Sequence, residues 1–267
     1  FLGFEILDKQ GIISLKSMQP EHEHEQTEYI PPRIWNYVVT RLKECVNDYI
    51  TNQNQIEVCF QFCLDAYNNN QRQSNPFDQE SGQQYLGSFA DIAVRFKVKV
   101  VLEKWVGNVA SIQALSRYFT LIQYAALSDV LAFTLMRKNE GASIRRNCLV
   151  WHDDEVYGRV PQIKSETTKT DPDENALWVA SPSVENSIRA LTSIAHMRLG
   201  CVGKWEENGN PYLINTTYEP WGAGKQLSPT ARSAIENFQQ VASRFKLLFD
   251  LNQLTITEDD FRIAKAV

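Results

Sequence analysis

Glycine is scarce in this chain, with 12 among 267 residues, and this scarcity disfavours a turn-rich β-sandwich or β-barrel. Recognisable catalytic motifs are also lacking. The run Gly222–Lys225 resembles the end of a phosphate-binding loop, but Glu219 stands at the position of the first glycine and Gln226 follows the lysine. The sequence therefore predicts no catalytic residue, no metal ligand and no cofactor.

The cysteines also form no recognisable framework. There are five of them, an odd number, and no CxxC pair occurs. Cys59 and Cys63 are four residues apart on an apolar helical pattern, which indicates buried, reduced thiols. We therefore expect a reducing, intracellular location, or a virion for a coat protein. The chain begins at Phe1 in mid-pattern and without Met, so we expect it to be the ordered or processed part of a longer protein.

A clear membrane span is missing as well. The only candidate, Tyr118–Met136, contains Gln123, Ser128 and Asp129, and a carboxylate near the centre of a span is costly. The longer run Val109–Lys138 has no proline or glycine and is apolar on nearly every side of a helix. We predict that it forms one buried helix, roughly 40 Å long at about 1.5 Å per residue.

These patterns predict a mainly α protein. The predicted fold is a helical bundle around one long buried central helix, with long polar loops and one or two small β-hairpins. The predicted segments are an N-terminal arm and linker at 1–32, a helical core with an N-terminal hairpin and the central helix at 33–150, an irregular loop at 151–180, and a C-terminal helical part at 181–267. The helical core and the C-terminal part are expected to form one continuous domain.

Charge is distributed unevenly along the chain. The formal net charge is −5, yet residues 92–150 carry nine Lys/Arg against three Asp/Glu, a local charge of +6. Such a basic segment can bind the phosphates of a nucleic acid, or it can face the acidic remainder of the same chain. The predicted nucleic-acid-binding residues are Arg95, Lys97, Lys99, Arg117, Arg137, Lys138, Arg145 and Arg146.

Arg117 is the most informative of these cations, because the predicted central helix is apolar almost all round. A charge in that setting requires a defined partner. The partner is either an internal carboxylate, such as Asp129 or Glu103, or a phosphate group.

The leading functional hypothesis is a non-enzymatic, self-assembling RNA-binding protein, such as a viral nucleocapsid or coat protein. Its predicted partners are single-stranded RNA and copies of itself, with no membrane. The basic segment would hold the phosphate backbone, while Trp205 or Trp221 would stack on a base or pack against a neighbouring copy.

Two alternatives remain open at the level of sequence. One is a metal-dependent enzyme that uses the cluster His152–Glu155, with a contribution from His22 and His24, since imidazole and carboxylate groups are good transition-metal ligands. The other is a helical adaptor that binds only other proteins. For His152–Glu155 we prefer a purely structural interpretation, in which these residues form a charged loop after a buried strand.

Overall fold

The computed structural model describes residues 30–70, 75–78, 85–167, 172–215, 219–221, 244–260 and 262. The chain divides into two compact units, Pro32–Thr255 and Phe1–Pro31 with Ile256–Val267. The larger unit contains all the elements discussed below. His22 and His24 lie outside the described residues.

The N-terminal part of the larger unit is a helical hairpin, as predicted from its apolar spacing. Helix α1 spans Pro32–Thr51 and helix α2 spans Gln53–Asn69. Proline suits the first position of α1, because the N–H that proline lacks would have no partner inside the helix. Residues at helical spacing along α1, including Leu42, Cys45 and Tyr49, are buried against the rest of the bundle.

Two short helices follow the hairpin. Helix α3 spans Phe89–Arg95 and helix α4 spans Lys99–Val106. The Ser88 hydroxyl caps α3 by accepting the Asp91 backbone N–H at 3.2 Å. Lys97 separates the two helices with a positive φ of 60°, a conformation that ends a helix.

Helix α5 spans Gln113–Thr134 and is buried along most of its length. The prediction of one helix over Val109–Lys138 is not confirmed: α5 has 22 residues, close to the 20 of α1. Helix α5 ends where Leu135 adopts the left-handed conformation, with φ 56°. The Thr134 hydroxyl accepts the Met136 backbone N–H at 3.3 Å, which diverts that N–H from the helix.

A short helix, α6, spans Lys138–Ala142 and folds back against α5. Asn139, Glu140 and Gly141 all lie inside this helix. Gly141 is needed there for close packing, since a Cβ atom at this position would lie 2.6 Å from Cδ2 of Leu131 and 3.3 Å from Cδ1 of Leu127. The glycine therefore permits two helices to touch rather than ending one of them.

The segment predicted to be an irregular loop, 151–180, forms a sheet instead. Strands β1 (Leu149–Asp154), β2 (Gly158–Thr167) and β3 (Asp173–Val179) pair antiparallel in the order β1-β2-β3. Alternate residues of β2 are buried, namely Pro161, Ile163 and Ser165. A proline and a serine on the buried face hide the apolar alternation that would have indicated a strand.

The C-terminal half of the unit adds helix α7 (Val184–Gly200), a single turn α8 (Lys204–Glu207) and a single turn α9 (Leu251–Leu254). Helices α5 and α7 pack together, and the Ser187 hydroxyl donates to the buried Asp129 carboxylate at 2.6 Å. Burial raises the pKa of Asp129, and the Ser187 hydrogen bond only partly offsets that effect. The mainly α class holds for the described residues.

One ion pair is fully enclosed by this bundle. Arg198 of α7 donates from Nε to the Glu219 carboxylate at 2.8 Å, and their side chains are 2% and 0% exposed. The Arg198 guanidinium also donates to Gln123 Oε1 and, at 3.3 Å, to Thr120 Oγ1, both on α5. The pair therefore joins α5, α7 and the segment 219–221.

Removing one member of this pair would leave the charge of the other buried without a partner. We expect Glu219→Ala to lower the free energy of unfolding by about 3–5 kcal/mol, measured by urea denaturation. Glu207→Ala is the matched control, because it removes a surface carboxylate paired with Lys204 and should change the free energy by less than about 1 kcal/mol. Equal effects of the two substitutions would contradict a structural role for the buried pair.

Candidate nucleic-acid interface

The eight predicted binding residues do not form one continuous patch. Arg117 lies in the first turns of α5, whereas Arg137, Lys138, Arg145 and Arg146 follow its C-terminal end. Arg117 is 17 positions before the end of α5 at Thr134, or roughly 25 Å along the helix axis at about 1.5 Å per residue. The remaining three, at 95, 97 and 99, belong to the segment of α3 and α4.

Three of the eight cations pair with carboxylates of this chain. Lys99 Nζ lies 3.6 Å from Glu103 Oε1. Arg137 Nη1 lies 3.2 Å from Glu140 Oε1, and Arg145 Nη2 lies 2.9 Å from Glu166 Oε1. A carboxylate at these distances offsets part of the charge of each cation, which reduces what the three residues can offer to a phosphate.

Four others are exposed and form no ion pair with any described residue: Arg95, Lys97, Lys138 and Arg146. Two of them rest on aromatic rings. The Arg95 guanidinium carbon lies 5.1 Å from the Phe62 ring centroid, and that of Arg146 lies 4.6 Å from the Trp205 ring centroid. A guanidinium held over a ring keeps its edge donors available for other partners.

Arg117 opens onto a cavity of about 320 Å³, which we call the Arg117 cavity. Its described lining residues are Trp105, Val106, Arg117, Arg244, Phe245, Lys246 and Leu247. Three of the seven side chains are cationic, and none is a carboxylate. Such a lining produces a locally positive potential in a chain that is acidic overall.

The internal carboxylate expected for Arg117 is not found among the described residues. Arg117 is exposed, and its Nη2 donates to the Val106 backbone carbonyl at 2.5 Å. Asp129 is hydrogen-bonded by Ser187, and Glu103 pairs with Lys99. Asp129 is also 12 positions further along α5, roughly 18 Å away at about 1.5 Å per residue, which is too far for a direct contact.

The aromatic rings at this cavity offer little surface for stacking. Trp105 is fully buried, and its indole N–H donates to Asp48 Oδ2 at 2.8 Å. The Arg41 guanidinium and the Lys104 ammonium lie 4.6 Å and 5.0 Å from the Trp105 ring centroid. Since Phe245 is buried as well, the cavity presents charge and hydrogen-bond donors rather than an open ring face.

Arg41 holds the far wall of the Arg117 cavity in place. Its Nε and Nη2 donate to the backbone carbonyls of Leu248 and Leu247, each at 3.1 Å. Next to it, Lys104 pairs with Asp48 at 2.7 Å and Glu44 at 2.8 Å. Hydrogen bonds with these two carboxylates raise the pKa of Lys104, so its charge is committed to them.

Sequence reasoning missed the residues that complete this cavity. Arg244 and Lys246 lie more than 120 positions after Arg117, and Arg41 lies more than 200 positions before the carbonyls that it binds. No local motif marks any of the three. The only sequence feature that indicated this part of the molecule is the excess of positive charge in residues 92–150, which include Arg117.

A second cavity, of about 460 Å³, lies beside β2 and β3, and we call it the Tyr212 cavity. Its described lining residues are Ser143, Arg145, Asn147, Lys164, Ser165, Glu166, Glu174, Asn175, Asn210 and Tyr212. Every one of these side chains is polar, and two cations face two carboxylates. This composition differs from the cationic lining of the Arg117 cavity.

A hydrogen-bonded group forms one wall of the Tyr212 cavity. Arg145 Nη2 donates to the Tyr212 hydroxyl oxygen at 2.7 Å, and the Tyr212 hydroxyl lies 3.3 Å from Glu166 Oε1. The Arg145 guanidinium carbon also lies 3.9 Å from the Tyr212 ring centroid. The ring is therefore covered, and the three residues restrain one another.

Both tryptophans proposed for base stacking are buried in the core. Trp205 contacts both the Arg146 guanidinium and the His196 ring, and the centroids of the two rings are 5.1 Å apart. Trp221 packs against Phe60 and Tyr67, with centroid distances of 5.5 Å and 5.3 Å. Their ring faces are occupied by this chain's own side chains.

The cluster His152–Glu155 lies at the end of β1 and in the following turn. Asp154 Oδ1 accepts the backbone N–H groups of Val156 and Tyr157, each at 2.8 Å. These two bonds lower the pKa of Asp154. Within the described ranges, no group of three or more His, Cys, Asp or Glu side chains is placed to hold a metal ion.

Comparison with protein-family models, with curated proteins and with solved structures finds no match for this chain. No helix in the described part is long and apolar enough to cross a membrane. All five cysteines are buried and carry free thiols. The assignment of a site therefore rests on the geometry and chemistry described above.

We expect Arg41→Lys to loosen the wall that carries Arg244 and Lys246. Lysine keeps the charge but lacks the planar fork that reaches two carbonyls, so the free energy of unfolding should fall by about 1–2 kcal/mol. Hydrogen exchange should rise at the backbone amides of 245–248. Arg189→Lys, at an exposed position of α7, is the control, and an equal change in that variant would contradict the role of Arg41.

Proposed function

We propose that this protein is a non-enzymatic, self-assembling RNA-binding protein, such as a viral nucleocapsid or coat protein, that holds the phosphate backbone of single-stranded RNA. The observation that carries the proposal is the Arg117 cavity. Arg117, Arg244 and Lys246 line it together, and no described lining residue is a carboxylate.

The chemistry of these three side chains suits phosphate. Guanidinium groups bind phosphate oxygens through two parallel N–H donors, and an ammonium group adds a point charge. Neither Arg117 nor Lys246 forms an ion pair with a described residue, whereas Lys99, Arg137 and Arg145 each do. Arg117 and Lys246 therefore retain charge that an incoming backbone can neutralise, with release of its counterions.

The exposed cations Arg95, Lys97, Lys138 and Arg146 extend this proposal beyond the cavity. They lie on both sides of the Arg117 position in the chain and are open to solvent. A few contacts per subunit are enough for a protein that lines up many copies along one strand, because avidity then multiplies weak individual affinities. An acidic net charge is compatible with so few phosphate contacts per subunit.

We expect Arg117→Ala and Lys246→Ala each to weaken binding of a labelled single-stranded RNA by about three- to tenfold at moderate salt. The slope of log K against log salt should become shallower by about 0.7 for each lost contact, because one fewer counterion equivalent is released. Fluorescence anisotropy titrations at four salt concentrations would measure both quantities.

Lys99→Ala is the matched control, since it removes the same charge from a lysine already paired with Glu103. It should change the affinity and the slope much less than Lys246→Ala. Wild-type protein that shows no salt-dependent binding in any oligomeric state would overturn the proposed RNA-binding function.

The outer face of the sheet supports the self-assembly part of the proposal. Val150 of β1 and Val179 of β3 both lie opposite Gln162 of β2, and Leu177 lies two residues before Val179 on β3, opposite Lys164. These three apolar side chains are 38%, 64% and 53% exposed. Apolar side chains grouped on one uncovered face are typical of a protein–protein contact.

We expect the double substitution Leu177→Glu with Val179→Glu to weaken self-association by tenfold or more, because two carboxylates would have to be buried. Sedimentation velocity would report the change, and circular dichroism would show that the monomer fold is retained. Val100→Glu, at a 78% exposed position on α4, is the control. Unchanged association in the double variant would exclude this face as the contact.

The RNA-binding titrations and the sedimentation measurements together distinguish the RNA-binding proposal from the adaptor hypothesis. A protein that associates through the sheet face but binds no RNA is a helical protein–protein adaptor. The metal-enzyme hypothesis has less support, since His152, Asp153 and Glu155 are exposed and the described residues contain no group of metal ligands.

A further inference from the structure

We propose that the Tyr212 cavity binds the ribose and base edge of one nucleotide, rather than a phosphate, so that the protein distinguishes RNA from DNA. This inference rests on the proposed RNA-binding function. It concerns a different cavity from the Arg117 cavity and a different part of the nucleotide.

The charges of the Tyr212 cavity argue against phosphate. Arg145 is neutralised by Glu166 at 2.9 Å, so its guanidinium is already occupied. Lys164 and Glu174 form no ion pair with any described residue, and together they contribute no net charge. The four charges of the lining therefore sum to zero, and a phosphate group would gain no net attraction there, whereas a neutral ligand needs none.

The same side chains suit a ligand that carries hydroxyl and amino groups. A carboxylate such as Glu174 accepts hydrogen bonds from O–H and N–H donors. Asn147, Asn175 and Asn210 each offer an amide, which both donates and accepts. The Asn210 amide oxygen already accepts the Asn147 backbone N–H at 3.2 Å, so its NH₂ group remains as a donor.

The serines on the lining add acceptors. The Ser143 hydroxyl donates to the Asn139 carbonyl at 3.0 Å, and the Ser165 hydroxyl donates to the Glu140 carbonyl at 2.7 Å. A hydroxyl oxygen that donates one hydrogen bond can also accept one, as the Ser165 oxygen can here. The lining thus combines acceptors and donors, as the edges of a nucleoside do.

Stacking contributes little to recognition here, because the Arg145 guanidinium covers the Tyr212 ring at 3.9 Å. The ligand is therefore recognised at its edges by hydrogen bonds. The restraint of Arg145, Glu166 and Tyr212 by one another holds this wall in place before a ligand arrives, which lowers the entropic cost of binding. A volume of about 460 Å³ is sufficient for a nucleoside.

The 2′-hydroxyl is the group that differs between the two nucleic acids. It can donate to a carboxylate and accept from an amide, and DNA lacks it. We therefore expect the wild-type protein to bind a single-stranded RNA about fivefold more tightly than the DNA of the same sequence at equal salt, the magnitude of one or two hydrogen bonds. The phosphate contacts of the two strands are the same.

The test measures the ratio of RNA to DNA affinity in four proteins by anisotropy at one salt concentration. In Glu174→Ala and Asn147→Ala the ratio should fall towards one. Glu155→Ala removes a carboxylate from the exposed turn after β1, outside this cavity, and should leave the ratio unchanged. Any general gain in affinity from the lost negative charge affects RNA and DNA alike and cancels in the ratio.

The outcomes separate the two proposals. Salt-dependent binding with equal affinity for RNA and DNA, or a wild-type preference that Glu174→Ala and Asn147→Ala both retain, would overturn this inference and leave the proposed function standing. Absence of binding to either strand would overturn both. A preference that is lost in Glu174→Ala and Asn147→Ala but kept in Glu155→Ala supports the assignment.

Discussion

The buried ion pair between Arg198 and Glu219 is the interaction on which the rest of the larger unit depends. It ties α7 to the segment 219–221, and the same guanidinium reaches Gln123 and Thr120 on α5. A pair with 2% and 0% exposure is costly to form and far costlier to break, so it selects one arrangement of these elements. Of the elements that meet at this pair, α5 also contributes Arg117 to the Arg117 cavity.

The segment anchored by Glu219 continues to Trp221, which binds the N-terminal part of α5 twice. Its indole N–H donates to Ser116 Oγ at 2.9 Å, and its carbonyl accepts from Gln113 Nε2 at 2.5 Å. Arg117 is the next residue along the helix. A series of contacts therefore links the start of α5, where Arg117 lies, to the buried pair between α7 and the segment 219–221.

The cations of the basic segment, residues 92–150, are of two kinds: some pair with a carboxylate of this chain, and others do not pair with any described carboxylate. Those near an acidic side chain, such as Lys104 with Glu44 and Asp48, stabilise the fold and have little charge left to offer. Arg117 has no such partner among the described residues and donates only to a backbone carbonyl. The aromatic residues are divided in a similar way, because Trp105, Trp205 and Trp221 are buried in the core rather than open to a base. At the two cavities, the described side chains offer charge and hydrogen bonds to a ligand rather than an open ring face.

The sequence by itself determined the mainly α class, the N-terminal hairpin and the basic character of residues 92–150, because helical periodicity and charge are local properties that three or four turns display. It did not determine the end of α5 at Leu135, where the Thr134 hydroxyl and the close packing allowed by Gly141 decide the conformation. It indicated a strand before His152 but not the three-stranded sheet, since Pro161 and Ser165 obscure the alternation of β2. Both cavities bring together residues far apart in the chain, such as Arg117 with Lys246 and Arg145 with Tyr212. A list of cations shows how much charge a segment carries, but only the tertiary structure places a carboxylate beside one cation and leaves another open to a ligand.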